Sequence, residues 1–145
     1  MSNPSQLSFY GAAGTVTGSK FLVDHDGQQI LLDCGQFQGM KELRLRNWES
    51  PPFAPGNLAA IVLTHAHIDH CGLLPLVVRR GFRNPIYCTK ATASLLPIML
   101  RDAARLQEED AEYANRKGFS KHHPAQPLFD LNDVEKTLQI GRAHV

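Results

Sequence analysis

The sequence has no long apolar run. No segment approaches the roughly 20 apolar residues of a membrane span, and Met1-Ser2-Asn3-Pro4-Ser5 lacks a basic stretch followed by an apolar one. A soluble, unexported, cytoplasmic protein is expected. Cysteine is scarce as well. Cys34, Cys71 and Cys88 are odd in number and never spaced CxxC, which argues against a disulfide framework and against a zinc ribbon. Net charge is nearly absent: 15 Lys and Arg against 14 Asp and Glu leave a formal +1. Nothing global therefore attracts nucleic acid, and a polyanionic substrate would have to be held by local charge or by metal. What remains is 145 residues, 43% hydrophobic, enough for one domain core.

The rest of the chain is organised around Thr64-His65-Ala66-His67-Ile68-Asp69-His70-Cys71-Gly72. The apolar run Ala59 to Leu63 before it reads as a buried strand. On an extended segment leaving that strand, side chains two apart point the same way, so His65 and His67 can converge on one ion. Asp69 and His70 fall where the chain turns into a helix expected over Gly72 to Arg80, and the helix start redirects them toward a second ion. Imidazoles and a carboxylate clustered without a cation would leave polar groups to be satisfied. Such ligands without thiolate suit zinc best, with manganese or iron as alternatives.

Around this stretch the pattern is layered α/β. Gln6 to Tyr10 begins as a short strand and runs into Gly11-Ala12-Ala13-Gly14-Thr15-Val16-Thr17-Gly18-Ser19, whose glycines suit a turn that brings backbone close to something else. Ser19-Lys20 is in the wrong order for a Walker loop. Phe21-Leu22-Val23 and Ile30-Leu31-Leu32 flank Asp24-His25-Asp26-Gly27, a hairpin signal with His25 a solvated turn residue. Asp33 follows at the strand end, where a carboxylate either forms a turn or fixes the orientation of metal-bound histidines. Cys34 and Cys71 read as small buried residues. Phe37 to Asn57, with Lys41, Arg44, Arg46, Trp48 and three prolines, reads as a surface excursion with a short helical piece. Gly81 caps the helix after the metal stretch, and Ile86-Tyr87-Cys88 forms another strand. Thr89 or Thr92 caps a further helical region, which Pro97 is expected to interrupt before it resumes from Ile98 to about Lys117. Glu108-Glu109-Asp110 read as a solvated face, and His122-His123 as a polar loop. Asn132-Asp133-Val134-Glu135 has capping-box spacing and opens a last helix.

The Thr64 to Gly72 stretch, with Leu31-Leu32-Asp33-Cys34-Gly35 upstream, resembles the metallo-β-lactamase fold superfamily. The opening Phe9 to Ser19, the segment Pro85-Ile86-Tyr87-Cys88-Thr89 and Gln107-Glu108-Glu109-Asp110-Ala111-Glu112-Tyr113 are similar to its β-CASP branch of RNA-processing nucleases, over about residues 6 to 139. That resemblance implies the first part of an αββα sandwich. It implies His65 and His67 on a first zinc, Asp69 and His70 on a second, and Asp33 orienting the ligands, so that Asp69 and Asp33 make up the catalytic set. Two ions about 3.5–4 Å apart would activate a hydroxide for in-line attack on an RNA phosphodiester. RNA is the implied partner, no membrane is, and a homodimer of the complete protein is compatible with the resemblance.

The family's further histidines, its bridging aspartate and the β-CASP insertion would all lie downstream. Residues 1–139 are thus expected to be the N-terminal portion of the domain, inactive alone. The final Ile140-Gly141-Arg142-Ala143-His144-Val145 matches the translation of a common sequencing adaptor, so this tail is expected to be non-native and His144 no ligand. Two other expectations stand beside the nuclease. One is a hydrolase of a small thioester or lactone, which shares the H-x-H-x-D-H core; the other is a non-catalytic truncated chain.

Overall fold

The structure is a computed structural model that describes residues 3–118 and 125–140, together with the backbone of 142–144. The paired histidines at 122 and 123 lie outside the described residues. Strands β1 (Gln6–Phe9), β2 (Phe21–His25) and β3 (Gln28–Leu32) form an antiparallel meander. Asp26 and Gly27 both take positive φ, 50° and 80°, the conformation that a two-residue hairpin turn requires. His25 is the last residue of β2 rather than part of the turn, and its ring meets the Ser5 hydroxyl at 2.7 Å. From β3 onward the pairing is parallel: β4 (Leu58–Val62), β5 (Ile86–Cys88) and β6 (Arg142–His144) follow in spatial order.

Parallel pairs need crossovers, and these carry the helices. The β3 to β4 connection holds α1 (Lys41–Leu45), a 3₁₀ turn over Arg46–Trp48 and another over Pro55–Asn57. Buried Asn47 pins this excursion, accepting from Phe37 N at 2.7 Å and donating to Phe37 O at 2.9 Å. The β4 to β5 connection holds α2 (Ile68–Cys71) and α3 (Leu74–Arg79). Helices α4 (Lys90–Lys117) and α5 (Leu131–Gln139) complete the layer, with α5 packed on both α3 and α4.

One face of the sheet supplies Leu22, Leu31 and Ile61 to a core shared with Leu74, Val77 and Val78 of α3, Leu96 and Leu100 of α4, and Val134 of α5. On the other face Leu7, Phe9 and Ile30 are exposed. Strand alternation produces this division, since both faces of these strands are apolar and helices cover only one.

Three local expectations are corrected. The single helix over Gly72 to Arg80 is two pieces beginning four residues earlier, at Ile68. It breaks at Leu73, whose N–H turns to Cys34 O at 2.9 Å, and Pro75 restarts the helix from a first turn that needs no N–H from it. Pro97 does not interrupt α4. Thr92, Leu96, Leu100 and Ala104 are buried at four-residue intervals across it, so packing on both sides holds one continuous helix. The α5 capping box is Asp130 with Asp133, two residues upstream of the expected one. Asp133 N–H donates to Asp130 Oδ1 at 2.9 Å and Asp130 N–H to Asp133 Oδ2 at 3.0 Å. That register buries Val134 and Thr137 and brings Asp133 to within 3.6 Å of Arg79.

Candidate metal centre

The site lies where β3 and β4 end side by side, because their parallel register sets Leu32 beside Val62 and delivers Asp33 and Thr64 to one edge. Asp33 N–H still donates to Val62 O at 2.8 Å, after which the chain turns: Asp33 adopts φ 59°, a left-handed conformation costly for a residue with a Cβ. The buried Asp33 carboxylate repays it by collecting donors. It accepts from Thr64 N–H at 2.8 Å, from the Thr64 hydroxyl at 3.0 and 2.9 Å, from the Ser19 hydroxyl at 3.2 Å, and from His70 Nδ1 at 2.8 Å.

Past β4 the chain stays extended through His67, which has φ −69° and ψ 145°, and then winds into α2. The ring centroids of His65 and His67 are 4.7 Å apart, and those of His65 and His70 are 4.0 Å apart. His70 Nε2 lies 3.7 Å from Asp69 Oδ2. The three imidazoles and the carboxylate singled out by spacing thus sit on one short loop and helix turn, with Asp33 behind His70. Among the described residues, no three or more His, Cys, Asp or Glu side chains close around an ion as they stand.

Backbone hydrogen bonds lace this loop in place. Ile68 O accepts from Gln36 N, Asp69 O from Ser19 N, and His70 O from Cys34 N, at 3.0, 2.9 and 2.8 Å. A Cβ at Gly35 would overlap the Asp69 carbonyl, so this approach requires glycine. Gly11 meets the Gly18 carbonyl in the same way, which is the close approach expected of the glycine-rich opening.

Cys34 and Cys71 are fully buried, and burial pushes both thiols up to about 12, so they stay protonated beside the site. Lys20, directly after Ser19, points away toward Phe37. Its ammonium donates to Gly18 O at 3.0 Å and sits 4.3 Å from the Phe37 ring centre, and burial brings it down to about 8. Ser19 and Thr64 are the two site residues that spacing did not reveal. Thr64 had a signal in its position between strand end and first histidine, whereas Ser19 had none beyond closing the glycine-rich stretch.

A fold of this topology with this site defines a known class. The chain belongs to the metallo-β-lactamase superfamily, whose family model matches residues 13–141. It is similar to ribonuclease TTHA0252 of Thermus thermophilus, 41% identical over 89% of this chain and 26% of that protein. It is also similar to the transcription termination factor FttA of Methanocaldococcus jannaschii, 31% identical over 93% of this chain and 22% of that protein. To Integrator complex subunit 11 of Danio rerio it is 34% identical, over 90% of this chain and 23% of that one. These relatives agree with the β-CASP resemblance of the motifs. The chain spans about a quarter of the length of these curated relatives.

Proposed function

We propose that these residues form the metal-binding first part of a zinc-dependent hydrolase that cleaves RNA phosphodiester bonds. The observation that carries this reading is the Asp33 to His70 hydrogen bond. An ionised carboxylate can only accept, so Nδ1 donates and the Nε2 lone pair is left free for an ion. His70 Nε2 and Asp69 Oδ2, 3.7 Å apart, are near the roughly 3.4 Å that separates two ligands at 2.0–2.1 Å from one tetrahedral zinc. His65 and His67 offer a second imidazole pair beside them.

When bound, a pair of zinc ions supplies activation of water near neutral pH and neutralisation of charge on a phosphodiester. The chain's own part is to fix the donors. Asp33 holds the His70 ring by its Nδ1–H, and the carbonyls of Ile68, Asp69 and His70 hold the loop backbone. The name ribonuclease carried by the Thermus thermophilus relative supports RNA as the substrate class over a small thioester or lactone.

The test is metal analysis and parallel assays, on RNA and on a thioester, of the protein encoded by the complete gene. Two zinc ions per chain and RNA cleavage abolished by His67→Ala are expected, and thioester cleavage with intact RNA would overturn the reading. A second reading, for the 145 residues alone, is one weakly held ion and no cleavage, which metal analysis and an RNA assay of that chain would test. We further propose that residues 140–145 are the non-native tail. Genomic sequence reading straight through this hexapeptide would refute that.

A further inference from the structure

Thr64 stands between the Asp33 carboxylate and the His65 ring. Its hydroxyl oxygen lies 3.0 and 2.9 Å from the two Asp33 oxygens and 2.9 Å from His65 Nδ1. The direction of each bond follows from what each group can do. Ionised Asp33 has no proton to give, so the Thr64 hydroxyl donates its single proton to Asp33. Its lone pairs can then meet His65 Nδ1 only as acceptor, which places the proton of neutral His65 on Nδ1 and the lone pair on Nε2.

We infer that Thr64 is a positioning residue whose hydroxyl relays the Asp33 carboxylate to His65, so that one buried carboxylate sets the tautomer of two imidazoles. His70 is set directly and His65 through Thr64. The purpose of the relay rests on the metal-centre reading above; its geometry does not. Packing gives no competing account of the side chain, because Thr64 is exposed. Its backbone N–H also donates to Asp33 at 2.8 Å, which fixes the hydroxyl in place as the relay requires. The imidazoles assigned to two different ions thus share one anchor.

The experiment records long-range ¹H–¹⁵N NMR spectra of the metal-free protein encoded by the complete gene at about pH 8, above the ordinary imidazole range, and titrates zinc against a chelator. Wild type and Thr64→Ser are expected to show His65 protonated at Nδ1. Thr64→Val is expected to show a mixture of tautomers, with His70 unchanged and zinc affinity about 10–100-fold lower, recovered in Thr64→Ser. The inference is overturned if wild-type His65 carries its proton on Nε2, an outcome that no folding defect of a variant can mask. It is equally overturned if Thr64→Val leaves the tautomer and affinity as they were. Because the spectra need neither metal nor RNA, failure of RNA cleavage would leave this result standing and sink only the functional reading.

Discussion

Asp33 concentrates more of the site than any other side chain. Replacing it with asparagine keeps the shape but puts an N–H₂ where an acceptor is required, so one of Ser19, Thr64 or His70 loses its partner. Asp33→Asn is therefore expected to lower zinc affinity about 10–100-fold and stability by about 1–3 kcal/mol, read by chelator competition and urea unfolding. Unchanged affinity would mean that the carboxylate orients nothing. At this scale the sequence was legible where the signal was local. His65, His67, Asp69 and His70 stand out as candidate ligands by their spacing from an extended segment into a helix start, and Asp33 as a candidate orienting group by following an apolar strand. Ser19 and Thr64 could not be read as Asp33 partners, because their bonds exist only once two strand ends from different parts of the chain lie side by side.

At the scale of elements, the hairpin and the strands were legible because turn chemistry and apolar runs act locally. Helix α4 was misread at Pro97 for the complementary reason. A proline weakens a helix by a local rule, while continuity here is decided by Leu96 and Leu100, buried on either side of it. The same fact makes a prediction. Pro97→Ala should stabilise the chain by about 1–2 kcal/mol, the helix gain outweighing the lost stiffness of the unfolded chain. A lower midpoint in thermal or urea unfolding would show that α4 needs the proline. The α5 cap was displaced likewise: Asn132 and Glu135 have the spacing, but the register that buries Val134 selects Asp130.

For the whole molecule, three buried groups beside the site shape the pH dependence of stability. Lys20 titrates at about 8 when folded, against an ordinary 10.5, so between these values the unfolded chain holds a proton that the folded one has lost, and stability rises with pH. Cys34 and Cys71 work oppositely. Their thiols, at about 12 against 9.0, keep protons that the unfolded chain releases above 9. Stability should climb from about pH 8 to 9 by up to about 1.4 kcal/mol per unit, then fall as two groups outweigh one. Lys20→Met should abolish the climb and leave the fall, which urea unfolding across this range would detect; a climb persisting in the variant would assign it to another group. No helix among the described residues is long and apolar enough to cross a membrane.

The lacing of the 68–70 carbonyls to the amides of Gln36, Ser19 and Cys34 bears on how this region can change over generations. Three rungs fixed to two separate segments leave the loop no freedom to slip, because adding or deleting one residue between His65 and His70 would misalign at least one rung. The excursion over Phe37 to Asn57 is held at its two ends instead, by Asn47 on Phe37, by Gln38 N–H on the Thr17 hydroxyl and by Phe53 buried in the core. Length variation should therefore accumulate between Gln38 and Leu45 and be purged from the histidine loop, even where a longer loop would keep all four donors.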